Sequence, residues 1–420
     1  MVAALAVAAV LAAGRGAGAV VDRPLPAGAE ITETDLAEAS LAAVGWLDEA
    51  RLDDGRYVYE YDRAADSFSD DYHDVRHAGV MLAAYQVAAE GYPEAVAIGD
   101  AGLRYVQDNL LAAGDMATFG RPGTTIHLGS SALAVAALAH RRLATGDAGH
   151  DELMRQMGRH MQTALRDDGG MWFGTRHVTT GGEPRFEPTF GRTSTFYTGE
   201  AFWAFGLLAN AFNGDGWDDS ARAVAHYIAV DRDAEEEIEN PPLADQWAAY
   251  GFAEMRGWAA LEGEQLHYVR RLIDAYAARI DRELRREARR VGDGTSAPDE
   301  TATISRGAAF GTTVEALSAL WRLSAADQGL ADLHASVAED LFCGAAVLAA
   351  RQTGPAGAAD FARPDLVEGA WFVDDLTRMD DQQHAMAGLI RAVDALGAAA
   401  GPDSDEPSGW AGLARAASTP

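Results

Sequence analysis

The feature that most constrains this chain is a polar cluster that recurs six times, each time directly ahead of an apolar helical run. The first three are Asp71-Tyr72-His73-Asp74-Val75-Arg76-His77-Ala78-Gly79, Ile126-His127-Leu128-Gly129-Ser130-Ser131 and Phe196-Tyr197-Thr198-Gly199-Glu200. The others are Leu243-Ala244-Asp245-Gln246-Trp247, Phe310-Gly311-Thr312-Thr313-Val314-Glu315 and Asp380-Asp381-Gln382-Gln383-His384. From His77 to His384 the steps average roughly 61 residues, room for two helices and two connections per unit. The runs after the clusters, such as Ser131–Ala139 and Ala201–Ala211, are apolar nearly all round, as suits a helix packed on every side. Between them lie amphipathic segments with Arg and Glu on one face: Asp35–Ala50, Pro93–Leu110, His150–Arg166, Asp218–Ala229, Glu264–Val291 and Leu330–Ala349.

Six hairpins of one inner and one outer helix predict an all-α, (α/α)6 toroid over residues 33–400. The inner helices then run parallel, and their unpaired N–H groups and positive dipole ends converge on one face. Long connections enter that face: Asp54–Asp70, Gly114–Thr125, Asp168–Thr195, Asp231–Pro242, Asp293–Gly307 and Thr353–Met379. Connections of this length in a compact domain are usually functional, and the aromatics in them, such as Tyr57, Trp172, Phe173 and Trp371, favour order.

Charge excludes some partners. The net charge is −30, and all 34 basic residues are Arg, with no Lys. So acidic a surface repels nucleic acid and anionic lipid and resembles that of proteins from extreme halophiles, where dense salt screens self-repulsion. Cys343 is the only cysteine; it reads as a buried thiol and leaves thiol catalysis and Cys-based zinc sites without support. No cofactor fingerprint or required metal set is present. The apolar run Val2–Ala13, with the Pro-Gly stretch Arg23–Glu30 behind it, makes residues 1–32 a signal or anchor remnant plus linker. That points to an extracellular or membrane-anchored protein, or to a cytoplasmic one if the run is only a frayed tail. Residues 401–420 form a polar tail.

The alternation, the polar inner-helix starts and the Asp168-Gly169-Gly170-Met171-Trp172-Phe173 loop resemble the six-hairpin glycosidase superfamily over most of Thr34–Ala400. That resemblance implies a sugar bound at the inner-helix N-terminal face. The superfamily includes glycoside hydrolases, unsaturated glucuronyl hydrolases and N-acylglucosamine 2-epimerases.

Candidate chemistry follows from the clusters. Paired carboxylates across a ring opening suit glycoside hydrolysis, one protonating the leaving oxygen while the other attacks or activates water. Glu200, Asp245 and Asp74 are the acids, although each also stands where a helix cap or first-turn acid is commonplace. Helix N-termini lower carboxylate pKa values, so a general acid here needs burial or a nearby acid. His73 and His77 are expected on one helix face. An alternative is a sugar epimerase in which His77 and His384 move a carbon-bound proton; another is a non-catalytic glycan-binding or partner-binding toroid. Arg76, Tyr197, Trp247, His127, Asp381 and Trp172 are expected to contact substrate, Trp247 either as a stacking plate or as core. Arg76, Arg121, Arg192, Arg306 and Arg378, all near inner-helix starts, suggest an anionic ligand or neutralise neighbouring Asp. Asp70-Asp71 and Asp374-Asp375 resemble acid motifs of terpenoid cyclases, but the Asp-x-Asp-Asp and repeated Gln-Trp signatures of those enzymes are missing.

Overall fold

A computed structural model describes residues 33–291 and 303–399, and strands are confined to the connections between helices. Val2–Ala13, the tail 401–420 and most of Asp293–Gly307 lie outside the described residues. Each polar cluster leads into or opens a helix: Asp74–Ala89, Leu128–Thr145, Tyr197–Ala211, Gln246–Glu254, Gly307–Ala326 and Met379–Ala399. The amphipathic segments form Glu33–Glu49, Ala95–Asp108, Asp151–Gln162, Trp217–Val230, Gly263–Val291 and His334–Arg351. Burial separates the two kinds as their sequences require. Every residue from Leu128 to His140 is buried, whereas Asp151–Gln162 buries only the stripe Met154, Met157, Gly158, His160 and Met161. Two boundaries fall inside the expected spans. Ala95–Asp108 stops early because Leu110–Ala113 pairs as a strand with Met116–Phe119, and a 3-10 turn at Gln328–Leu330 precedes His334–Arg351.

The chain divides into two compact units. One comprises 50–60 and 68–272. Its four inner helices pack in chain order, Asp74–Ala89 on Leu128–Thr145, then Tyr197–Ala211, then Gln246–Glu254. Contacts join start to start: the rings of His73 and His127 stack at 4.9 Å, His127 meets Tyr197 at 6.0 Å, and Asp245 lies against Gly199. The four helices are therefore parallel. The first three also pack on the outer helix that follows each. Deep in this unit Trp203 stacks on Tyr250 at 4.4 Å and on Trp247 at 5.6 Å; such pairs each add about 0.5–1.5 kcal/mol beyond the area they bury.

The connection read as an irregular loop at Asp168–Thr195 contains a hairpin, Gly174–Thr180 paired with Glu183–Pro188. Its two-residue turn is Gly181-Gly182 with φ of 63° and 90°, the left-handed pair that matches strand twist and that glycine adopts without strain. Thr125–His127 adds a third strand and runs straight into the Leu128 helix. His127 is thus fixed by a sheet on one side and a helix on the other.

The second unit comprises 33–49, 61–67, 273–291 and 303–399. Its inner helices Gly307–Ala326 and Met379–Ala399 are parallel, with Gly307 against Asp381, Gly311 against His384 and Val314 against Gly388. Glu33–Glu49 packs on Met379–Ala399, so the first and last described helices form one pair. Trp46 Nε1 donates to the Leu366 carbonyl at 2.9 Å, which locks that pair to the connection before it. Arg351 is buried between Glu287 (2.8 Å) and Glu283 (3.0 Å). Cys343 is buried in the same helix as Arg351.

Candidate active site

In the unit of 50–60 and 68–272, Glu200 is the sequence-marked acid with the most unusual surroundings. It stands in the first turn of an otherwise apolar helix, is 4% exposed, and its Oε2 has no hydrogen-bond partner. The carboxyl fits because residue 129 is glycine: a Cβ there would stand 2.1 Å from Oε2. Burial raises the Glu200 carboxyl well above the ordinary glutamate value, and the negative charge of Asp245 raises it further.

Asp245 has the opposite surroundings. It caps the Gln246 helix, its Oδ1 accepting from the N–H groups of Trp247 (3.0 Å) and Ala248 (3.3 Å). Its Oδ2 accepts from Arg232 Nη1 at 2.7 Å, and Arg232 Nη2 donates to the Tyr268 hydroxyl at 2.7 Å. Gly199 makes the room, since a Cβ there would lie 2.3 Å from Oδ2. Burial raises the Asp245 carboxyl too, but Arg232 and the two backbone N–H groups pull against it. Of two acids in one dry site, the charge settles where the donors are. Asp245 has the donors that hold a carboxylate charge, and Glu200 has none on Oε2.

Aromatic rings line the helix starts above this pair. His127 stacks on His73, meets Phe173 edge-on at 5.1 Å and tilts toward Tyr197. Phe173 in turn lies 5.3 Å from Tyr197, and the Arg192 guanidinium sits 4.1 Å over the Phe173 ring. Burial, then Arg192, lowers the His127 imidazole; burial, then Glu200, raises the Tyr197 phenol. Asp74 is half-buried 4.0 Å from Arg121, raised by burial against that cation. Arg76 donates to the Tyr59 hydroxyl. Trp172 carries Arg166 over its ring and meets the exposed Phe190 edge-on at 5.6 Å.

His73 and His77 do not share surroundings. His73 is the N-cap with an extended backbone (φ −135°, ψ 120°), so its side chain departs from the helical direction and reaches His127. His77 is fully buried among Tyr57, Tyr105 and Phe119. Its Nε2 lies 3.0 Å from the Gly102 carbonyl and its Nδ1 2.6 Å from the Tyr72 hydroxyl. Since a carbonyl only accepts, Nε2 carries the proton and Nδ1 accepts from Tyr72. Burial lowers this imidazole to about 4. Trp247 is 3% exposed and stacks within the core, so the stacking plate expected of it is absent there; the helix that begins at Gln246 turns this ring toward Trp203.

In the other unit, Asp381 is buried and tied to Arg306, to the Ala308 N–H (2.9 Å) and to the Arg378 N–H (3.1 Å). His384 Nδ1 lies 2.6 Å from Glu315 Oε2. Burial lowers the His384 imidazole, but the Glu315 carboxylate outweighs it, and the net direction is up. Sequence reasoning passed over Arg232, which no local signal marks, since it sits in an acidic connection thirteen residues before its partner Asp245. Among the described residues no helix is long and apolar enough to cross a membrane, and no group of three or more His, Cys, Asp or Glu is arranged to hold a metal ion.

No family model and no curated protein matches this sequence. Solved structures do match in fold. A GH76A alpha-1,6-mannanase from a Salegentibacter species is 11% identical with a TM-score of 0.54, over 86% of this chain and 99% of that one. An unsaturated glucuronyl hydrolase specific for heparin is 10% identical with a TM-score of 0.54, over 86% and 98%. Cellobiose 2-epimerase from Bacillus thermoamylovorans is 11% identical with a TM-score of 0.53, over 86% and 100%. The fold is the (α/α)6 toroid.

Proposed function

We propose that this chain is a carbohydrate-active enzyme, a glycoside hydrolase in which Glu200 protonates the leaving oxygen. One observation carries the reading: Glu200 is a buried acid with an unpartnered oxygen at the aromatic-lined start of an inner helix, and burial and the charge of Asp245 raise its hold on a proton. A general acid needs that proton at working pH, and few surface carboxyls retain it. Asp245, fixed by Arg232, is the positioning charge that keeps it there. Asp74 supplies the second carboxylate of the pair. Tyr197, His127, Arg76 and Trp172 contact the sugar, and His77 holds Tyr72 and the start of the first inner helix in place. Sugar-directed activities among proteins of this fold support the reading, and Val2–Ala13 is in keeping with an exported or membrane-held enzyme.

The test is turnover on a panel of 4-nitrophenyl glycosides and soluble polysaccharides that includes alpha-1,6-mannan. Glu200→Gln should abolish hydrolysis while leaving sugar binding largely intact; hydrolysis that survives Glu200→Gln overturns the assignment. The Glu315–His384 dyad favours a second reading, sugar epimerisation with His384 as base. That reading requires exchange of a sugar C–H proton with deuterated water, lost in His384→Asn.

A further inference from the structure

The pair Glu200 and Asp245 leaves the chemistry of the substrate itself unassigned, and Arg192 bears on it. Arg192 lies just before the Tyr197 helix, its backbone carbonyl held by the Phe173 N–H at 2.8 Å. Nearby guanidinium groups are matched to acids: Arg166 to Asp168, Arg176 and Arg185 to Glu187, Arg232 to Asp245. Among the described residues Arg192 forms no ion pair. In a chain of net charge −30, an arginine at the site without an acid beside it is unexpected on electrostatic grounds. Its cation is placed by Phe173 instead, and a guanidinium over a ring still has its planar N–H edge to donate.

The local charge balance points the same way. Asp245 is paired with Arg232, Asp74 faces Arg121, and burial and Asp245 both work against a charge on Glu200. Arg192 is a cation at the aromatic mouth that no carboxylate of the described residues pairs. We propose that the site takes a carboxylated sugar, a uronic acid, and that Arg192 receives its carboxylate beside the Phe173 and Tyr197 rings. The planar fork of Arg192 matches a carboxylate through two parallel N–H donors. This rests on the sugar-binding part of the reading above and does not depend on hydrolysis.

Calorimetric titration with glucuronate, its methyl ester and glucose tests it on the full chain. Glucuronate should bind about tenfold or more tighter than either neutral sugar, the worth of one charge-assisted contact. Arg192→Ala should erase that preference without changing glucose binding, and Arg192→Lys should restore part of it. Arg192 is exposed, so unchanged circular dichroism is expected of both variants. Equal binding of the acid and its ester, no binding of glucuronate, or a preference that survives Arg192→Ala would each overturn the proposal. Glu200→Gln should keep the uronate preference. A parent protein that prefers uronate but hydrolyses nothing sinks the hydrolase and spares this inference; hydrolysis of neutral glycosides with no preference does the reverse.

Discussion

Two groups of buried acids in this molecule sit under opposite electrostatics. Glu283 and Glu287 are each clamped by Arg351 and by a second arginine, Arg286 or Arg290. Despite burial, which raises them, their hydrogen-bonding and charged partners hold both carboxyls below the ordinary value. Glu200 is as buried as Glu283 but has a bare oxygen and feels the charge of Asp245, and it is raised. The first arrangement joins helices and spends its charge doing so. The second leaves a buried carboxyl oxygen without a donor beside a second acid, an undercompensated arrangement that fits the proposed role of Glu200.

The largest effect should come from removing the clamp. Arg351→Met leaves two buried carboxylates without their shared cation and should cost about 3–5 kcal/mol in denaturant unfolding. A loss under about 1 kcal/mol would mean these acids behave as surface groups and would end the contrast. Next is Gly129→Ala, whose methyl must displace Glu200 Oε2 from 2.1 Å. It should cost about 1–3 kcal/mol and most of the turnover, whereas retained turnover would show that the seat of Glu200 is not needed.

The pH response sharpens the comparison further. Glu283 has a lowered folded value, so its stabilisation is present above the ordinary 4.5 and is lost as pH falls through the folded value. Glu200 has a raised value, so stability is lost as pH rises from 4.5 through its folded value. Melts of Glu200→Gln should therefore gain on the parent as pH climbs above 4.5, while Glu283→Gln should lose least against it in acid. Parallel curves for the two variants would show that both acids are equally compensated. The smallest and most diffuse effect is that of salt. With a charge of −30, melting temperature should rise from dilute to molar KCl, and a flat response would remove the halophile reading.

The helices were legible because each starts with polar residues and continues as an unbroken apolar run: Tyr197 to Ala211 needs only the change from Thr198-Gly199-Glu200 to Ala201-Phe202-Trp203. The Gly181-Gly182 turn was readable too, but a hairpin of Thr, Arg and Glu has no apolar alternation strong enough to stand out from a loop. Glu200 could be singled out from its position; its undercompensated burial could not. That depends on Gly129 and on the partition of donors between Asp245 and Glu200, relations between helices that no local window contains. Arg232 is hidden for the same reason. The stacking of Trp247 on Trp203 turns on which way one ring points from a helix start, and sequence spacing leaves both directions open.

The pairing of Glu33–Glu49 with Met379–Ala399 has a consequence for how the chain is made. The unit of 50–60 and 68–272 contains all its inner helices by the time Glu254 has been synthesised, and it can condense while translation continues. The Glu33–Glu49 helix has no such option. Its partner emerges more than three hundred residues later, so the entropy of closing that loop falls on the final step. Until then its apolar face, Leu36, Ala43, Trp46 and Leu47, waits in water and is open to wrong partners. Among the described residues, the Glu33–Glu49 helix is therefore the one whose burial waits longest on synthesis, and a ribosome stalled after Glu254 would hold a condensed unit and an orphaned helix.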